Sequence, residues 1–167
     1  ARYDFDGAGT VDAGIVAGGQ SGNNAAAYSC TTVEKWDGIQ WCSSQALDYA
    51  ARKHAVVGTQ CHTVVVGGYC PGNSPALSTN LQEKIQVQQN GSWDDSSAVL
   101  SQTRYDFSAV GRARGFIVWG GNTTGINLTT NFYNITNSTE IMSGTTMTAG
   151  PNVPYAIACQ GATGNSS

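Results

Sequence analysis

The sequence predicts an all-β fold made of about three repeated units of roughly 50 residues each. Three observations favour it. The chain carries 21 Gly among many Ser, Thr and Asn residues, and β-branched residues dominate its apolar runs, which is a composition of strands and turns. A segment that ends in Gly-Gly occurs three times, and a second segment centred on Glu and Gly also recurs. With 167 residues, the chain is expected to form one domain, residues 1–167.

The first recurring segment runs from an arginine to a glycine pair. Its copies are RYDFDGAGTVDAGIVAGG (2–19), RKHAVVGTQCHTVVVGG (52–68) and RYDFSAVGRARGFIVWGG (104–121). The first glycine follows the arginine by 16, 15 and 16 residues, and an apolar run that ends on two glycines is typical of a strand closing on a tight turn. The repeated residues are Arg2, Arg52 and Arg104 with Gly18, Gly19, Gly67, Gly68, Gly120 and Gly121. A weaker fourth copy, PYAIACQGATG, begins at residue 154.

The second segment supplies a repeated glutamate. TVEKWDGIQW (32–41) aligns with STEIMSGTTM (138–147), so Glu34 matches Glu140, and LQEKIQVQQNGSW (81–93) contributes Glu83. The expected division of the chain is an incomplete unit 1–22, units 30–72 and 79–125, and an incomplete unit 130–167. The arginines are predicted to cap carbonyl groups of a neighbouring unit or to pair with these glutamates.

Together these motifs resemble the kelch-type repeat, in the variant found in tandem copies in microbial and viral surface proteins. The resemblance covers nearly the whole chain. It implies a kelch-like β-propeller of four-stranded antiparallel units in which Val64–Val66 and Ile117–Trp119 belong to inner strands. It implies no active site, because repeats of this type serve enzymes, adaptors and structural proteins alike.

Three units are fewer than the four to eight that close a propeller. The array is therefore expected to be open or completed by another chain, because an open array exposes strand edges that can pair with a partner. Copies could close a ring or stack into a fibre, or the sequence could be an excerpt of a larger propeller.

The charge, the cysteines and the glycosylation signals limit which partners and which compartment are expected. Only 11% of residues are charged and the net charge is −3, which disfavours nucleic acid, and no apolar run is long enough to insert into a membrane. The start at Ala1 without Met predicts a processed product or a piece of a longer chain. Disulfide candidates are Cys30, Cys42, Cys61, Cys70 and Cys159. Asn-x-Ser/Thr glycosylation signals occur at Asn90, Asn122, Asn127, Asn134, Asn137 and Asn165, which predicts an extracellular protein, secreted or part of a surface appendage.

Catalytic residues are not indicated. A galactose-oxidase-like copper site would need several His and Tyr ligands, and the two histidines, His54 and His62, are not forced together. Asp4 and Asp106 occupy one slot of the repeat, Asp6 lies nearby, and Asp94 and Asp95 are assigned to a polar hairpin turn. No nucleophile elbow or phosphate-binding loop is present. The sequence therefore predicts a protein that is not an enzyme and uses no metal or cofactor.

The leading interpretation is a glycosylated extracellular structural or adhesive module that assembles with copies of itself into a surface fibre or appendage. The alternative is a lectin-like propeller, formed by oligomerisation, that stacks sugars on Trp36, Trp41, Trp93 or Trp119. An oxidase ranks third.

Overall fold

The computed structural model describes residues 1–21, 28–70, 83–123, 134–159 and 161–162. These residues form strands and connecting loops, with no helix among them, so the predicted all-β class is confirmed. The strands are β1 (Arg2–Tyr3), β2 (Asp6–Thr10), β3 (Ala13–Ala17), β4 (Gln20–Ser21), β5 (Tyr28–Ser29), β6 (Val33–Trp36), β7 (Trp41–Ser43), β8 (Ala55–Thr59), β9 (His62–Val66), β10 (Ile85–Gln89), β11 (Ser92–Asp95), β12 (Ser108–Arg112), β13 (Gly115–Trp119), β14 (Thr139–Ser143) and β15 (Thr146–Gly150).

Twelve of these strands form three antiparallel sheets of four strands. Sheet I has the order β2-β3-β6-β7, sheet II the order β8-β9-β10-β11 and sheet III the order β12-β13-β14-β15. A small sheet of β1, β4 and β5 lies beside sheet I in the sequence. The apolar strands β9 and β13 have hydrogen-bonded neighbours on both sides, as their sequences predicted. The first strands β2, β8 and β12 lie next to one another, and they form the shared edge of the array.

The sheets divide the chain differently from the predicted units. Each sheet combines the hairpin before a glycine pair with the hairpin after it, because β3, β9 and β13 pair with β6, β10 and β14 across the intervening loop. The predicted boundaries 30–72 and 79–125 therefore cut through sheets that span 6–43, 55–95 and 108–150. The predicted incomplete unit 1–22 supplies half of sheet I, whose four strands are all present.

Successive sheets pack face to face. We call the front of a sheet the face that carries Glu34 in sheet I, Gln86 in sheet II and Glu140 in sheet III, and the back the opposite face; side chains alternate between the two. The back of sheet I, with Ile15 and Ala17, packs on Val65 of the front of sheet II. The back of sheet II, with Val64 and Val66, packs in the same way on the front of sheet III. One type of interface is therefore used twice.

The glycine pairs are required by close contacts at the ends of β3, β9 and β13. Gly121 has a φ of 90°, and a Cβ built on it would lie 2.6 Å from Cβ of Phe107. At Gly68, the same test places a Cβ 2.7 Å from Cβ of His54, with a φ of 99°. Only glycine combines this backbone conformation with so little space, which explains why the pair recurs.

A second recurring feature is a residue with positive φ just before the first strand of each sheet. Asp4, Lys53 and Asp106 have φ values of 57°, 53° and 52°. The N–H of Lys53 donates to the carbonyl of Asp4 at 2.9 Å, and the N–H of Asp106 donates to the carbonyl of Lys53 at 3.0 Å. Cys159 continues this series, with a φ of 56° and an N–H that donates to Asp106 at 2.9 Å. Asp4 and Asp106 therefore share a structural slot, as predicted.

Candidate functional site

The predicted arginine–glutamate pair is formed in sheets I and III. Arg104 donates from Nη2 to Glu140 Oε1 at 2.7 Å and from Nη1 to the carbonyl of Gly120 at 3.0 Å. Both side chains are almost completely buried. Burial lowers the pKa of the Arg104 guanidinium, whereas the Glu140 carboxylate acts in the opposite direction. Arg2 makes the same contacts with Glu34 and with the carbonyl of Gly18. The guanidinium thus both pairs with a carboxylate and caps the end of its own sheet, rather than a neighbouring one.

Arg52 and Glu83 do not belong to this set, and their assignment to it is corrected. Arg52 bridges Tyr69 and stacks on its ring at 4.8 Å, while Glu83 is exposed. The residue that precedes the positive-φ residue by two is Arg2 in sheet I, Arg104 in sheet III and Ala51 in sheet II.

The glutamate is replaced together with the arginine. Gln86 pairs with Val65 as Glu140 pairs with Val118, so it occupies the glutamate position of sheet II. Because Ala51 brings no charge, a neutral amide there avoids an unpaired buried carboxylate. Both partners have therefore changed in sheet II.

The same position also receives an N–H from the loop that leads into the sheet. Ser101 N–H donates to Glu140 Oε2 at 2.7 Å, and Asp48 N–H donates to Gln86 Oε1 at 2.9 Å. In sheet I, the Glu34 side chain is 41% exposed. Among the described residues, no loop N–H donates to Glu34 as Ser101 and Asp48 do in the other two sheets, so the front of sheet I retains acceptor capacity.

His54 is buried at the junction of sheets I and II. Its Nε2 lies 3.1 Å from the carbonyl of Ala17, and its Nδ1 is buried without a hydrogen-bond partner among the described residues. Burial lowers the pKa of His54 to about 4, and the Ala17 carbonyl acts in the opposite direction. Phe5 and Phe107 hold the equivalent position before β2 and β12. The imidazole is thus a neutral replacement for a packed phenyl ring.

The front of sheet I differs from the other two fronts in its exposure. Trp41 on β7 is 52% exposed, whereas Trp93 at the same position of β11 is 4% exposed and donates its indole N–H to the carbonyl of Gln45 at 3.0 Å. Val16 is half-buried, whereas its counterpart Val65 is fully buried. Trp36 lies beside Trp41, with ring centroids 5.6 Å apart. These two residues, with Thr10, Val11 and Gly14, line a cleft of about 280 Å³.

The back of sheet III is the other partly exposed face. Ile117 is half-buried, whereas Ile15 and Val64 at the same position of sheets I and II are almost completely buried. Ile141 on the same face is also half-buried. Trp119 is half-buried on this face and lies on the inner strand β13, where the sequence prediction placed it. The two ends of the array therefore present an apolar front and an apolar back.

Gln88 is a buried polar residue at a position that sheet III fills with an apolar side chain. Its amide is 1% exposed, and neither its oxygen nor its nitrogen has a hydrogen-bond partner among the described residues. Met142 holds the same position in sheet III. Gln88→Met is expected to raise the free energy of unfolding by about 1 to 3 kcal/mol, because a desolvated amide is removed. Urea unfolding would measure this, with Gln89→Met at the exposed neighbouring position as a control that leaves stability unchanged. A loss of stability would show that Gln88 has an essential polar role.

Several candidate sites are placed as follows. Asn90 lies in the exposed turn between β10 and β11, Asn134 is exposed and Asn137 is half-buried. Asn122 is 3% exposed and bridges Tyr105 and Ile135, so it leaves no room for a glycan in the folded chain, and its assignment is corrected. Asn127 and Asn165 lie outside the described residues. Cys42, Cys61, Cys70 and Cys159 are thiols in this structure, so no disulfide joins any two of them in it.

Of the residues considered for catalysis, Asp4, Asp6, His54 and Asp106 line one cavity of about 320 Å³, whereas His62, Asp94 and Asp95 lie elsewhere. His54 lies at the start of β8 and His62 at the opposite end of the β8–β9 hairpin. Asp94 and Asp95 lie on strand β11 rather than in a turn, and Asp95 pairs with Lys84 at 3.0 Å. Asp6 accepts the N–H of Val56 at 2.7 Å. Within the described ranges, no group of three His, Cys, Asp or Glu residues could hold a metal ion. The same ranges contain no helix long and apolar enough to cross a membrane.

The geometry therefore defines a repeat-built all-β protein with two apolar end faces. No known family profile matches the chain, and no curated protein does. Among solved structures, the chain is similar to one titled "Structure of YjhT", with a TM-score of 0.70 and 14% sequence identity. The match covers 94% of this chain and 52% of that one. The chain therefore spans about half the length of this structural neighbour, and the likeness concerns the fold.

Proposed function

We propose that the chain is a non-enzymatic structural module, a propeller-like segment that binds further copies of itself through its two end faces. The carrying observation is the contrast between Trp41, 52% exposed, and its counterpart Trp93, 4% exposed. The front of a sheet is covered by the back of the preceding sheet at both internal interfaces. We infer that the front of sheet I is covered in the same way, by the back of sheet III of a second copy.

The fit of the two end faces supports a second copy as the occupant. The back of sheet III repeats the strand register of the backs that already cover the fronts of sheets II and III, with Ile117 at the position of Ile15 and Val64. Such a front-to-back contact is heterologous, and it generates a ring or a filament according to whether the rotation closes.

Trp41→Glu is expected to weaken self-association by about 30-fold or more, because loss of a central aromatic contact typically costs about 2 kcal/mol and the carboxylate is desolvated as well. Sedimentation velocity over a concentration series measures this effect. Val99→Glu is the matched control, since Val99 is an exposed apolar residue in the segment between sheets II and III, away from both end faces. Equal effects of the two substitutions would contradict the proposal.

The extracellular and glycosylated character of the module is part of the proposal. Asn90 and Asn134 are exposed acceptor sites outside both end faces, so glycans there are compatible with assembly. We infer that the assembled module forms a fibre or an appendage at a cell or particle surface. Electron microscopy of the native material distinguishes filaments from discrete rings.

A second candidate function is sugar binding. The cleft between Trp36 and Trp41 offers one exposed and one half-buried aromatic ring at an interplanar angle of 47°. Apolar faces of sugar rings stack on such surfaces. Glycan-array binding by the chain that Trp41→Ala abolishes would favour a lectin-like module. Loss of self-association without any glycan binding would favour the assembly face.

A further inference from the structure

Residues 157–159 follow the path by which the chain enters a new sheet. Where the chain enters sheets II and III, the second glycine of the preceding pair donates its N–H to a backbone carbonyl. The acceptor is the carbonyl of the residue that lies two positions before the positive-φ residue. Gly19 donates to Ala51 at 2.7 Å, and Gly68 donates to Arg104 at 2.9 Å. Gly121 donates to Ile157 in the same way, at 2.7 Å. Cys159 then adopts a φ of 56° and donates to the carbonyl of Asp106. The segment therefore repeats these two backbone hydrogen bonds, by which the chain enters sheets II and III.

The segment lacks the anchors of the other entries. Ile157 stands where Arg2 and Arg104 make their ion pairs, and it is exposed. Tyr155 is 82% exposed, whereas Tyr49 at the same position of the loop before sheet II is half-buried. Ile157 N–H donates to Thr136 at a long 3.3 Å. A few backbone hydrogen bonds therefore hold the segment to the end of sheet III, with no ion pair at its start.

We propose that residues 157–159 are a displaceable cap on the end of sheet III. This inference rests on the proposed function. When sheet I of a second copy docks on the back of sheet III, the repeat geometry places residues 2–4 of that copy where residues 157–159 lie. Arg2 of the partner subunit is held to its own sheet by an ion pair, whereas Ile157 has no such anchor. The incoming entry segment therefore replaces the cap, and the cap opposes assembly until it is displaced.

Cys159→Pro releases the cap without changing either end face. Proline lacks the N–H that donates to Asp106, and its ring fixes φ near −65°, which excludes the observed value of 56°. Cys159→Gly is the matched control, because glycine keeps the N–H and adopts positive φ readily. Both variants lose the thiol, so a difference between them reports the backbone contact alone.

Sedimentation velocity of the full chain over a concentration series measures the outcome. The Pro variant is expected to associate about tenfold more tightly than wild type, because the competing hydrogen bond is lost. The Gly variant is expected to match wild type. Adding a peptide of residues 152–162 should return the Pro variant to wild-type association, which also shows that the variant is folded.

The results separate this inference from the proposal on which it rests. Wild type that associates through Trp41, together with a Pro variant that associates no more tightly, overturns the cap alone. Absence of association in wild type and in both variants overturns the cap and the assembly proposal together. Association of the Pro variant that Trp41→Glu abolishes supports both.

Discussion

Replacing Arg104 with alanine is expected to lower the free energy of unfolding by about 3 to 5 kcal/mol, because Glu140 is left buried without its counterion. Arg104 also donates to the carbonyls of Gly120 and Ser138, so these two groups at the end of sheet III lose a hydrogen-bond donor at the same time. Urea unfolding followed by tryptophan fluorescence measures the loss.

Sheet II, which lacks the ion pair, supplies the control for this experiment. The double variant Arg104→Ala with Glu140→Gln reproduces the Ala51 and Gln86 combination of sheet II, in which no buried charge needs a partner. It should recover most of the stability that the single variant loses, because the unpaired carboxylate is gone. A double variant as unstable as Arg104→Ala would show that lost arginine packing dominates, and that the charge pair contributes little.

Acidification is expected to destabilise the fold by about 3 kcal/mol through His54 alone, since each unit of pKa shift corresponds to about 1.4 kcal/mol. The folded state holds the pKa of His54 near 4, below its ordinary value of 6.5. Below pH 6.5 the unfolded chain therefore takes up a proton that the folded chain refuses, and stability falls until the pH reaches about 4. Chemical unfolding at a series of pH values measures this loss.

His54→Phe isolates the contribution of the histidine. Phe107 occupies the same position against Gly67, so the ring is expected to fit, and the variant should keep its stability as the pH falls. Burial raises the pKa of Asp6, which acts in the opposite direction on acidification, and Asp6 is present in both proteins. The difference between the two pH profiles therefore belongs to His54. Parallel profiles would contradict a buried neutral imidazole.

The repeat and its strands could be predicted from the sequence, because glycine pairs and valine-rich runs report local backbone constraints. The sequence alignment of the three copies is wrong where the second copy is one residue shorter than the others. Arg52 looks like the counterpart of Arg2 and Arg104, but its interval is 15 residues rather than 16, and that single residue moves it from the buried position to the bridge with Tyr69. Glu83 shares a Glu-Lys dipeptide with Glu34, but the glutamate position of sheet II falls three residues later, at Gln86, and only the pairing with Val65 reveals this register.

The end faces were beyond prediction from the sequence. Trp41 and Trp93 carry the same side chain at the same repeat position, and their different exposure depends on whether another sheet covers them. The open ends were expected from the number of units, but the cap required the backbone hydrogen bonds of Ile157 and Cys159. Sequence patterns indicate the local backbone conformation of a residue, whereas the exposure of an end face depends on which other sheet packs against it.

Mixing two complementary variants tests the central claim most directly. Trp41→Glu disables the front of sheet I and leaves the back of sheet III intact, and Ile141→Glu does the reverse. Each variant alone should remain a single chain in sedimentation velocity. Their equimolar mixture should form a complex of two chains and nothing larger, because one intact front meets one intact back. A mixture that stays monomeric where wild type associates would contradict front-to-back assembly.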